Sequence, residues 1–188
     1  MKTAALAALL IAAPGIAFAQ TKVTDKPFVS GGRVNIHLEA GEYEVRAAKD
    51  DHVRVTMTGD MGNTVADVEI SGTQAGVNVH NTPNHSNHFH IVVEVPRVSD
   101  ITIRLTAGDL TVGDIAGSKD IETRAGDVKI AAGDPNLYAK VDASVTIGDI
   151  NPGPFGSKTG GFGRKIAWTG KGKYTFRAHL LAGDLKIN

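Results

Sequence analysis

The chain has 188 residues, with 22 Gly, 7 Pro, no Cys, and 20 basic against 20 acidic side chains. The lack of Cys excludes disulfide scaffolds, thiolate metal centres and thiol nucleophiles, and the balanced charge argues against a dedicated nucleic-acid binder, whose phosphate contacts need a basic excess. Gly stands well above its ordinary usage of roughly 7%, and one Trp, three Tyr and six Phe leave a thin aromatic complement.

The N-terminus reads as a leader. Met1-Lys2 is a short cationic start, Thr3 to Ala13 is apolar, Pro14-Gly15 breaks the helix, and Ala17-Phe18-Ala19 offers small residues where a signal peptidase reads. The run is too short for a membrane span, which needs roughly 20 apolar residues. Residues 1–19 are therefore expected to be a signal peptide cleaved near Ala19-Gln20, leaving a periplasmic or secreted protein with no transmembrane segment. The remainder, 20–188, is expected to form a single domain.

Alternation with a period of two then dominates. Val34, Ile36 and Leu38 point one way from Arg33, Asn35 and His37, and the pattern returns at 43–45, 53–57, 68–70, 77–79, 91–95 and 101–105. Such alternation predicts half-buried strands, and each run closes on Gly, Asp, Asn or Pro. The second half repeats itself. Ala107-Gly108-Asp109-Leu110-Thr111-Val112 returns as Ala125-Gly126-Asp127-Val128-Lys129-Ile130, as Ile147-Gly148-Asp149-Ile150, and as Ala182-Gly183-Asp184-Leu185-Lys186-Ile187. Repeats near twenty residues predict coils that bury their apolar faces on one another. Gly supplies a tight corner and Asp caps backbone N–H groups beyond it. The predicted fold is all-β: a parallel β-solenoid or β-helix-like set of coils over 99–188, preceded by short, partly antiparallel or sandwich-like strands over 28–98.

Phe28, Gly31-Gly32-Arg33-Val34-Asn35-Ile36, Val93-Glu94-Val95-Pro96, the Gly-Asp-aliphatic repeats and the closing Gly-Asp-Leu-Lys-Ile together resemble the putative adhesin domain of bacterial envelope proteins, a family with Gly-Asp repeats and largely without assigned function. The resemblance covers about Phe28 to Asn188. It implies a β-solenoid fold and an extracytoplasmic role, and it carries no catalytic residues.

Three groups of residues are candidates for chemistry. Asp109, Asp127, Asp149 and Asp184, if stacked about 4.8 Å apart, either cap turns or hold calcium between them; turn capping is the expected role. His85, His88 and His90 lie in a His/Asn-rich stretch, and neutral imidazoles so spaced suit zinc, copper or nickel. No Asp or Glu lies between His80 and His90 to orient those rings, so a polar hairpin tip is the plainer explanation. Finally, Asn151 to Gly183 contains no acidic residue, whereas Arg164, Lys165, Trp168, Lys171 and Lys173 form a basic, aromatic stretch. That stretch is the candidate interaction surface for a protein, a surface polymer or a second copy; docking on the acidic repeats of its own chain is an equal alternative, and a solvated hairpin with Trp168 and Tyr174 in the core is the plainer explanation.

No Gly-x-Ser-x-Gly elbow, His-Glu-x-x-His or phosphate loop occurs. The sequence therefore predicts a non-enzymatic structural or interaction module of the bacterial envelope, with no catalytic residues and no cofactor. The alternatives are a His-loop protein binding a divalent metal and a polysaccharide-acting β-helix enzyme. The last repeat, ending at Ile187-Asn188, is expected to leave an open rung that pairs with a second chain.

Overall fold

The computed structural model describes residues 21–60, 62–80, 89–156 and 163–188. The expected leader at 1–19 and the candidate ligands His85 and His88 lie outside them. The strands are β1 (Thr21–Pro27), β2 (Arg33–Ala47), β3 (His52–Gly59), β4 (Val65–Ser71), β5 (Gln74–His80), β6 (Phe89–Val95) and β7 (Asp100–Val112). They continue as β8 (Lys119–Ala125), β9 (Val128–Ile130), β10 (Tyr138–Ile147), β11 (Ile150–Asn151), β12 (Arg164–Thr169), β13 (Tyr174–Ala182) and β14 (Leu185–Ile187). Helix among the described residues is limited to single 3-10 turns at Pro135–Leu137 and Gly153–Phe155. The protein is all-β, as its alternation predicts.

All these strands join one mixed sheet that does not close on itself. Its first arm runs β4-β5-β2-β7-β8-β13-β10-β12, and its second runs β1-β3-β6-β2-β7-β9-β14-β11. Strands β2 and β7 belong to both because each passes through a glycine corner, at Gly41 and Gly108, and they pair in parallel on either side of it. Alternate residues of both arms face one another. Ile36, Ile103, Ile121 and Ala178 from the first and Val45, Leu110, Val128 and Leu185 from the second enter a single buried apolar cluster. Burial of this area is the main stabilising term.

The corners set the geometry. Gly108, Gly126, Gly183 and Gly148 have φ of +112°, +126°, +126° and +137°, where residues with a Cβ are strained. A Cβ on Gly108 would overlap the carbonyl oxygen of Gly41; on Gly126, that of Gly108; on Gly183, that of Gly126; on Gly148, that of Gly183. Backbone therefore rests directly on backbone at every step.

The order of that stack differs from chain order. The C-terminal unit, β13 with β14, lies between β8/β9 on one side and β10/β11 on the other, parallel to both. This corrects the expected open rung at Ile187-Asn188: the last repeat is paired along both edges, and Asn188 exchanges hydrogen bonds with Ile130 and Ala132. The chain reaches this slot by crossing the start of β10. Gly170 N–H donates to Ala139 O at 3.0 Å, Gly172 N–H to Tyr138 O at 3.1 Å and Lys173 N–H to Leu137 O at 3.0 Å. A side chain on Gly172 would collide with the Leu137 carbonyl, which explains the Gly-Lys-Gly sequence.

Aromatic side chains fill this end of the core. Tyr138 meets Phe155 and Phe176 edge-on at 5.8 and 5.9 Å between ring centroids, and Phe155 meets Trp168 at 5.2 Å. A cation lies within. Lys119 is 1% exposed, and its Nζ donates to Ile115 O at 2.6 Å and to the Tyr138 hydroxyl at 2.7 Å, which donates in turn to Ala132 O. Burial pulls the Lys119 pKa down to about 8, opposed by the Asp114 charge. With its hydrogen bonds made, Lys119 ties the turn at Ile115 to β10.

The corner contacts make a direct prediction. Gly126→Ala should cost about 3 kcal/mol or more, because Cβ strain and overlap with the Gly108 carbonyl act together. Gly76→Ala, with nothing within 4 Å of its added methyl, should change stability by less than about 1 kcal/mol. Thermal and denaturant unfolding of the two variants checks this contrast.

Candidate functional site

Because the apolar residues of the first arm turn inward, their polar neighbours form rows on its outer face, running across the strands. One row passes from His37 on β2 to Arg104 on β7, Glu122 on β8, His179 on β13 and Ser144 on β10. Towards the corners it is flanked by Glu39, Thr106, Arg124, Leu181 and Thr146, and the two sets line a groove of about 620 Å³. The row is internally bonded. Arg104 bridges Asp120 at 2.9 Å and Glu122 at 3.1 Å, and Ser144 Oγ lies 2.7 Å from His179 Nδ1. Arg124 is exposed, and Leu181 is 56% exposed on the groove wall. The groove thus offers a cation and an apolar patch beside a fixed polar floor.

The aspartates of the repeats have a different role. Asp109 Oδ1 accepts the N–H of Asp127 at 3.3 Å, Asp127 Oδ1 that of Asp184 at 2.9 Å, and Asp184 Oδ1 that of Asp149 at 2.7 Å. Each carboxylate therefore caps the backbone of the next unit in the stack. Among the described residues no further unit stacks beyond Asp149, and its carboxylate meets the Arg164 guanidinium instead. Among the described residues no group of three or more His, Cys, Asp or Glu is placed to hold a metal ion.

The remaining candidates are dispersed. His90, on β6, has Nε2 3.7 Å from Glu44, and His80 Nδ1 is 3.4 Å from Glu39. Both carboxylates come from β2, a source the local sequence does not reveal. In the basic stretch, Arg164 is only 11% exposed against Asp149, Lys165 reaches Asp142 at 3.5 Å, and Trp168 packs on Phe155. Lys171 and Lys173 are exposed in the crossing turn, the latter over the Tyr174 ring at 4.7 Å. On the second arm, Arg54 binds Asp25 and Asp50 at 3.1 Å and Glu94 at 3.2 Å. His52, followed by Arg54, holds the Asp25 carboxyl below its ordinary range, so this cluster is internally matched.

One known structure shares the architecture. A putative cell adhesion protein from Clostridium sporogenes matches 89% of this chain and 99% of its own, at 14% identity and a TM-score of 0.55. The likeness is one of fold. A putative adhesin from Bacteroides fragilis aligns over 90% of this chain and 97% of its own at 10% identity, with a TM-score of 0.29. A putative adhesin from Parabacteroides distasonis aligns over 89% and 70% at 10% identity, with a TM-score of 0.30. No protein-family model and no curated protein matches the sequence. Among the described residues no helix is long and apolar enough to cross a membrane.

The groove was not legible in the sequence, because its residues come from six strands far apart in the chain. Sequence reading also overlooked the first corner, Ala40-Gly41-Glu42-Tyr43, which lies in register with Ala107-Gly108-Asp109-Leu110. The signal was present, with Glu in place of Asp.

The capping role predicts that Asp127→Ala costs about 1–2 kcal/mol by orphaning the Asp184 N–H. Asp127→Asn, which keeps the acceptor, should cost less than half of that, and excess calcium should leave the melting temperature of the unmodified protein unchanged. Thermal unfolding with and without calcium checks each part.

Proposed function

We propose that the protein is a non-enzymatic, extracytoplasmic module with an adhesin-like role in the bacterial envelope, built as a short β-solenoid. The stacked Gly-Asp corners support the solenoid reading, and the leader sequence ending Ala17-Phe18-Ala19 supports export. The Clostridium sporogenes protein of like fold is described as a putative cell adhesion protein, which supports a binding role for this one.

The observation that carries the proposal is the outer groove. Its floor rides on strands that are each paired along both edges, so a ligand meets a rigid surface and little ordering entropy is lost on binding. Arg124 and Leu181 are the projecting groups, suited to anchoring a charged and an apolar part of one extended ligand.

Protein beginning at Gln20 should bind at least one member of a panel of immobilised acidic polysaccharides, neutral polysaccharides and matrix proteins, with a saturable isotherm. Arg124→Glu and Leu181→Asp should each weaken that binding by about tenfold or more at an unchanged melting temperature. Absence of saturable binding, or equal binding by both variants, would contradict the role of the groove. New reducing ends released from a bound polysaccharide would contradict its non-enzymatic character.

A further inference from the structure

The first arm begins at β4 and finishes at β12, and among the described residues each pairs along one edge only, β4 with β5 and β12 with β10. Unpaired strand edges present N–H and C=O groups to any strand that can approach; β1 passes close to β4 but pairs with β3 and not with β4. The two ends carry opposite charge. From Val55 to Pro96 the sequence contains no Lys or Arg, and β4 displays Asp67 and Glu69 on its exposed face. From Asn151 to Gly183 it contains no Asp or Glu. There Lys165 is 62% exposed on β12, and Lys171 and Lys173 are exposed in the turn that follows.

Register sharpens the match. Asp67 stands opposite Asn78 on β5, and the same row continues through His37, Arg104 and Ser144 to Lys165. A second copy translated along this row sets its Asp67 beside Lys165, one strand spacing of about 4.8 Å away. In the next row Glu69 meets Ala167. Strands β4 and β12 both run against the parallel strands between them, so translation brings them together in parallel.

We propose that the protein associates head to tail with copies of itself, the β12 edge of one docking on the β4 edge of the next. Opposite charges directly across a strand pair attract, whereas β4 on β4 or β12 on β12 would face like charges. The contact is heterologous, so each added copy keeps one free end and growth leads to filaments or rings. Each addition would also repeat the groove along one line. The association does not depend on what the groove binds.

Sedimentation velocity over a concentration series tests this. Wild-type protein should associate at low ionic strength and dissociate at high salt, as the screening length falls from about 10 Å at 0.1 M to about 3 Å at 1 M. Lys165→Glu with Lys171→Glu makes both ends acidic, and Asp67→Lys with Glu69→Lys makes both basic. Each double variant alone should sediment as a monomer, and an equimolar mixture should re-associate. If Lys165→Glu, placed beside Asp142, lowers the melting temperature, Lys171→Glu with Lys173→Glu takes its place. A wild-type monomer at low salt would overturn the proposal and leave the charges as guards of the edges. Association unaffected by the reversals, or a mixture that stays monomeric, would overturn it equally.

Discussion

At each corner from Gly108 onward, a carbonyl oxygen of the neighbouring unit stands where any residue but glycine would hold its Cβ. This close approach fixes where one unit sits on the next, and it leaves no side chain that could shift to relieve a substitution. The aspartate that follows makes the contact directional, because its carboxylate takes the N–H of the next Asp in the stack. Gly and Asp together therefore fix the spacing and direction of each step. Where the stack ends at Asp149, Arg164 supplies the partner that a further unit would otherwise provide. The basic stretch thus has a structural task within its own chain.

Interchangeable corners permit the arrangement in which the C-terminal unit enters between two earlier ones. Any Gly-Asp unit presents the same edges, so β13 and β14 fit against β8 and β9 as readily as β10 and β11 would. What distinguishes the position is the crossing turn, where Gly170 and Gly172 pass over the start of β10, and the Tyr138, Phe155, Phe176 and Trp168 cluster beneath it. With the apolar faces committed inward and the corners committed to stacking, the outer rows of the first arm are left facing solvent. The groove and the oppositely charged edges are two consequences of that division.

Much of this was legible in the letters. The period of two gave the strands, from Val34-Ile36-Leu38 to Ile101-Ile103-Leu105, because alternation reports burial on one face. The repeated Gly-Asp reported the corners for the same local reason. Ala40-Gly41-Glu42 escaped because the first corner carries Glu, and its equivalence appears only through register with β7. The order of the units was illegible, since equivalent edges leave no trace in sequence of which one lies beside which. The groove was illegible too. His37, Arg104, Glu122, Ser144 and His179 are separated by long stretches of chain, and only strand pairing sets them in one row. The basic stretch from Arg164 to Lys173 was visible as composition, and the core position expected of Trp168 is the one observed, but only the register of β12 on β10 sets Lys165 beside Asp142.

The order of the stack can be tested cleanly by paired substitution, because the chain contains no cysteine. Neighbouring parallel strands stand about 4.8 Å apart, within the roughly 4.4–6.8 Å between Cα atoms that a disulfide spans. Glu122 on β8 is in register with His179 on β13, and His179 with Ser144 on β10. Oxidation of Glu122→Cys/His179→Cys should therefore close an intramolecular disulfide, measured as loss of free thiol in monomeric protein. Glu122→Cys/Ser144→Cys, two strand spacings apart, should keep its thiols. Closure of the second pair with failure of the first would place β8 directly against β10 and contradict the account.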